Sequence, residues 1–235
     1  MKKLVLILFV CLLGVSSYGQ NVQTHYDLGE GREYLTTTVE MFRPDKFGST
    51  FFFIDMDYGS NGVEGVSLAY WEIARAITLF KSPIAAHVEY NGGFGQWTTG
   101  GSYQINDAYL GGLEYSLNAK DFSRGFTFQT LFKSIRGKND ASFQLTGVWY
   151  MNMLKNKVTF SGFADFWKED NVFVVGGTAQ NPVLETTDFV FLAEPQLWYN
   201  FCKNFSAGGE VELSSNFAGN KGFMVNPTVA MKYTF

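Results

Sequence analysis

The chain has 235 residues, 46% hydrophobic and 17% aromatic, with 25 Gly, 5 Pro and 2 His. A formal charge of −4 makes nucleic acid a poor partner, and a mean hydropathy of −0.04 is too polar for a bundle of membrane helices. No CxxC, HExxH or Gly-rich phosphate loop occurs, and two histidines are too few for most metal sites, so neither an enzyme nor a cofactor is expected.

The N-terminus opens with Lys2 and Lys3, continues through an apolar stretch over 4–15, and reaches the small-residue run Ser17-Tyr18-Gly19 before Gln20. This order reads as a cleavable secretory signal over 1–19, too short to span a bilayer, which takes about 20 apolar residues. Cys11 lies deep inside the apolar stretch, which argues against a lipid anchor. Removing the signal leaves 16 basic against 22 acidic residues and one cysteine, Cys202, in a short turn.

Residues 20–235 then form one domain of alternating segments. Period-two patterning places strands at 22–28, 34–42, 49–58, 66–77, 84–91, 108–118, 126–135, 142–152, 158–168, 188–200, 205–217 and 224–235. About 12 strands of this length suit an all-β, transmembrane, antiparallel up-and-down β-barrel. With both termini in the periplasm, the connections at 44–48, 78–83, 119–125, 153–157 and 201–204 are the short periplasmic turns. The two longest, 92–107 and 169–187, are expected as extracellular loops. The closing strand alternates Val225, Val229, Met231, Tyr233 and Phe235 against Asn226, Thr228, Lys232 and Thr234. It ends on an aromatic residue and resembles the signal read by the outer-membrane assembly machinery.

The same alternation sorts the two faces. Asp55 and Asp57 share a face with Phe53, and a carboxylate in hydrocarbon is costly, so this face is the inner one. By that rule Glu40, Glu72, Glu89, Glu114, Asp165, Glu194, Glu210 and Glu212 point inward, with His25, His87, Gln129, Lys133, Gln144, Gln196 and Lys232. Phe42, Tyr70, Tyr150, Phe163, Trp167 and Trp198 share the inner parity, while Trp149 and Tyr199 look outward. Arg75 has outward parity, so a bulge after Glu72 is expected to turn it in, and Pro195 marks a ladder defect beside Glu194. The candidate pore-lining residues are Glu40, Phe42, Phe53, Asp55, Asp57, Glu72, Glu89, Glu114, Asp165 and Glu194.

The segments VEMFRPDKFGSTFFFIDMDY and SLAYWEIARAITL, with the later SGFADFW and the amphipathic last strand, resemble the nucleoside-specific channel-forming family called Tsx. The match is best over 39–79, and the chain departs from the family in shorter connections near Gly31 and Gly137. The resemblance implies a monomeric twelve-stranded channel passing nucleosides by diffusion, with Glu40, Phe53, Asp55 and Glu72 as pore residues.

The residues therefore point to an outer-membrane channel for small polar solutes, with an acidic, aromatic-lined lumen and outer-membrane lipids around it. Two other readings stand beside it. One is a plugged structural or partner-binding barrel, whose inward acids pair with Lys133, Lys232 and Arg75. The other is a lipid hydrolase of the outer membrane, which would place its serine and histidine on the lipid-facing wall.

Overall fold

The computed structural model describes residues 19–138 and 142–235, so the expected signal over 1–19 lies, except for Gly19, outside the described residues. The strands are β1 (Gln20–Asp27), β2 (Leu35–Asp45), β3 (Gly48–Tyr58), β4 (Val66–Thr78), β5 (Ile84–Gln96), β6 (Ser102–Asn118), β7 (Arg124–Ile135), β8 (Ser142–Met153), β9 (Val158–Gly177), β10 (Pro182–Ala193), β11 (Gln196–Asn200), β12 (Phe205–Ser215) and β13 (Phe223–Thr234). Each pairs antiparallel with its neighbour from β1 to β9. β9 carries both β10 and β11, these both pair with β12, and β12–β13–β1 closes the ring. β10 and β11 are two lengths of one wall strand, so the molecule is a closed, all-β, antiparallel twelve-stranded barrel. Closure leaves no open edge for backbone groups to face lipid.

The interruption falls at Glu194 and Pro195. Proline has no N–H for the ladder, and the strand yields there. The Glu194 amide still donates to Phe163 O at 3.0 Å, and Pro195 O accepts from Val211 N at 3.0 Å. Opposite the break Gly162 takes φ 151°, and a Cβ there would stand 2.4 Å from Glu194 O. A side chain at this position would collide with the bend.

Two expectations need correction. The expected loop over 92–107 is largely strand, because β5 runs on to Gln96 and β6 starts at Ser102. The expected loop over 169–187 likewise becomes a hairpin, with rungs from Asn171↔Thr187 to Gly177↔Pro182. β9 has 20 residues, about twice the 9–11 a tilted membrane strand needs, so its second half rises above the bilayer. Beyond the lipid the polar and Gly-rich composition no longer distinguishes strand from loop. The second correction concerns Arg75. The β3–β4 ladder is regular from Gly48↔Ile77 to Asp57↔Leu68, with no bulge after Glu72. Arg75 stays on the outward face at the periplasmic end, bonded to Asp45 at 2.7 Å and Thr50 at 2.9 Å. Headgroups and water reach this level, so a paired guanidinium is tolerated there and does not pair with inward acids.

Candidate functional site

Register fixes the inner face. Rungs such as His25↔Thr36, Thr36↔Asp57 and Thr38↔Asp55 carry the buried face of β1 onto β2 and β3, and the same parity continues around the ring. Asn21, Gln23, His25 and Asp27 are buried on it, while Ile73, Val88, Leu113, Phe132, Val229 and Met231 are exposed on the outer wall. An apolar wall of this kind is built to face hydrocarbon.

On the wall formed by β11, β12, β13, β1, β2 and β3, inner side chains pair by hydrogen bonds and ring contacts. Trp198, fully buried, donates its indole N–H to Gln196 Oε1 at 3.0 Å, and Gln196 Nε2 donates to Glu210 at 2.9 Å. The Lys232 ammonium sits 3.9 Å from the Trp198 ring centroid, and His25 meets the same indole edge-on at 5.9 Å. Gly208 and Ala230, the wall residues between Trp198 and His25, are small enough for the indole to lie flat along the wall. His25 bonds Gln23 and Thr228, and Asn21 donates to Glu40 at 2.9 Å. Thr38 and Thr36 donate to Asp55 and Asp57.

The wall from β4 to β9 repeats the plan. Lys133 donates to Gln144 Oε1 at 2.7 Å and lies 4.2 Å from the Trp167 ring centroid. Glu72, Glu89 and Asp165 all stand within electrostatic reach of this ammonium, although they come from β4, β5 and β9. His87 lies between Glu114 at 2.9 Å and Glu89 at 3.0 Å. Tyr70 donates to Glu72 at 2.7 Å, and its ring is 6.0 Å from that of Phe53. Glu194 accepts no side-chain hydrogen bond among the described residues; its charged neighbours are Glu210, Asp55, Glu212 and Glu72. Phe42 has the inner parity but lies at the periplasmic rim, half exposed, opposite Phe51.

Two further residues, Asp27 and Arg32, belong to the mouth of the barrel. Asp27 continues the buried parity of His25 and could have been read from it. Arg32 sits in the connection after β1, where alternation assigns no face. It folds back to bond Asp27 at 2.7 Å and Glu212 at 2.6 Å, so the first extracellular connection is tied to the mouth of the barrel. Among the described residues no group of three or more His, Cys, Asp or Glu is arranged to hold a metal.

A family described as Domain of unknown function (DUF5020) matches residues 19–235. No curated protein matches the sequence. Among solved structures, the NanC porin is similar at a TM-score of 0.56 and 10% identity, covering 92% of this chain and 100% of that one. The KdgM porin is similar at 0.52 and 12% identity, covering 92% and 99%. A second structure of it, in complex with disordered oligogalacturonate, is similar at 0.51. The fold is that of outer-membrane porins, and the apolar outer wall is of the kind that faces lipid. The likeness to the Tsx family rests on the sequence segments alone.

Proposed function

The chain belongs to the DUF5020 family, and we propose that its barrel is a channel for passive diffusion of small polar solutes. Neutral or cationic ring-bearing molecules, nucleosides foremost, are favoured over phosphorylated ones. The charge balance of the inner face supports this reading. Glu40, Asp55, Asp57, Glu72, Glu89, Glu114, Asp165, Glu194 and Glu210 outnumber Lys133 and Lys232, which both lie against tryptophan rings. Carboxylate rings in a narrow pore select for cations. A nucleotide phosphate would enter that field at a loss, as would a polyanion such as the oligogalacturonate of the similar porin. The paired rings of Phe53 and Tyr70 offer a base a flat surface, and Glu40, Asp55 and Glu72 offer acceptors to hydroxyls and amines. Binding stays weak, because a solute that is held does not pass. A leader over 1–19, assembly through the closing strand and a monomeric state complete the proposal.

A plugged structural or partner-binding barrel is the second reading, favoured by the burial of Trp198, Gln23 and Val190 at 2% exposure or less. The lipid hydrolase has less support, since His25 and His87 both face inward. Liposome swelling with nucleosides, nucleotides and size-matched sugars decides among these. Faster nucleoside than nucleotide entry, with the difference reduced by Asp55→Asn and Glu72→Gln, is expected. Equal rates unchanged by both substitutions would remove the charge selectivity, and no entry of any solute would favour the plugged barrel.

A further inference from the structure

The five connections at the end holding both chain termini share a pattern that the lumen does not use. Each carries an exposed large apolar residue close to an exposed lysine: Phe47 with Lys46, Phe80 with Lys81, Phe122 with Lys120, Leu154 with Lys155 and Phe201 with Lys203. The apolar side chains range from 60% exposed at Phe47 to 96% at Phe80. Such residues in turns facing water are a liability unless something covers them.

In three of the five turns, backbone conformation shows that turn geometry did not select these residues. Phe80, Lys81, Phe122, Leu154 and Lys155 all have φ between 51° and 58°, a left-handed region that glycine enters freely and large side chains enter at a cost. At the extracellular end the same demand is met mostly by glycine, at Gly31, Gly59, Gly62, Gly65, Gly100, Gly101, Gly137, Gly219 and Gly222, with Asn216 and Ala218 as exceptions. These three turns, at 79–83, 119–123 and 154–157, therefore spend conformational energy to display phenylalanine, leucine and lysine.

Charge adds an independent observation. Of the 16 Lys and Arg that remain without Lys2 and Lys3, nine lie on these turns or on the outward ends of the adjoining strands: Arg43, Lys46, Arg75, Lys81, Lys120, Arg124, Lys155, Lys157 and Lys203. The acids in the same band are Asp45, bonded to Arg75, and Asp121, bonded to Ser123. The result is a positive collar studded with apolar tips and continuous with the lipid-facing wall. Lysine stems and aromatic rings together fit the boundary between headgroups and acyl chains.

We propose that this collar is a docking surface for anionic phospholipid headgroups of the periplasmic leaflet, the apolar tips entering the interface and the lysines holding phosphates. A peptidoglycan strand would complement the charge but not the phenylalanines. The inference rests on the membrane-spanning barrel alone, so it stands or falls separately from conduction.

Cys202 supplies the probe, because it is exposed in the fifth turn between Phe201 and Lys203 and is the one cysteine after Cys11. The mature protein, labelled there with an environment-sensitive fluorophore, is inserted into phosphatidylcholine bilayers with and without about 30% phosphatidylglycerol. Blue-shifted emission, quenched by headgroup nitroxides, is expected. Spin-labelled phosphatidylglycerol should be enriched at the protein by about twofold or more over phosphatidylcholine, and high salt should remove the preference. A variant with Lys46, Lys81, Lys120, Lys155 and Lys203 changed to Gln should lose the enrichment. Phe80→Ser with Phe122→Ser and Leu154→Ser should lose the quenching, and both variants should keep the heat-dependent gel shift of a folded barrel. Water-like emission in both bilayers, or enrichment unchanged in the lysine variant, would overturn the proposal. Emission that shifts only when a soluble periplasmic fraction is added would also overturn it, in favour of a protein partner.

Discussion

Replacing Arg32 with Ala removes the cation that Asp27 and Glu212 share at 2.7 and 2.6 Å, and strands two carboxylates whose side chains are only 4% and 13% exposed. Removing one partner of a buried pair costs about 3–5 kcal/mol, because the remaining charge stays desolvated. Arg32 itself is 31% exposed at a wet mouth, where screening lowers the pair's value, so about 2 kcal/mol is expected. Local hydrogen bonds survive the change: Gly29 N donates to Asp27 Oδ1 at 2.7 Å and Asn226 Nδ2 to Glu212 Oε1 at 3.0 Å. The loss should therefore come from stranded charge rather than from a collapsed loop. Adding Asp27→Asn and Glu212→Gln to Arg32→Ala is expected to restore more than half of it. Urea unfolding in detergent, followed by the gel mobility of folded and unfolded forms, measures the cycle. A triple variant as unstable as Arg32→Ala, or an Arg32→Ala variant as stable as the parent, would show that stranded charge at Asp27 and Glu212 is not what Arg32 relieves.

Two further substitutions probe the lumen wall. Trp198→Ala removes a fully buried indole that carries Lys232 on its face and His25 at its edge. It should cost about 3–5 kcal/mol of stability and raise single-channel conductance; unchanged conductance would show that Trp198 does not narrow the path. Gly208→Ala would put a Cβ 2.0 Å from Leu197 O, a backbone atom that cannot move alone. It should reduce the yield of heat-modifiable barrel in refolding, and a normal yield would count against so close an approach of the two strands.

Strand faces were legible in the sequence because the side-chain period is two and a charge in hydrocarbon is costly: once Asp55 and Asp57 fix one face, the ladder carries that choice around the ring. What escaped lies where that constraint stops. Above the bilayer no lipid penalises a polar outward residue, so the β5–β6 and β9–β10 hairpins looked like loops. At the periplasmic rim Arg75 can face outward beside Asp45, which parity reasoning had treated as an error to be repaired by a bulge. Arg32 reaches Glu212 across 180 positions of sequence, and the meeting of His25, Lys232 and Trp198 depends on the small residues Gly208 and Ala230. Contacts across several strands follow from ring closure, which no local pattern encodes. The turn at 79–83 was legible as a turn, yet Phe80 and Lys81 in left-handed conformations were not, because sequence preference would place Gly or Asn there.

Whether the lumen conducts, and whether its excess of inward carboxylate selects ions, is read from the reversal potential of single channels in a planar bilayer under a salt gradient. Cation selectivity is predicted, reduced by Glu40→Gln, which removes an inner-face carboxylate that accepts from Asn21 and faces the Lys232 ammonium. Anion selectivity, or a barrel that inserts and shows no conductance at all, would rule out an acidic conducting lumen.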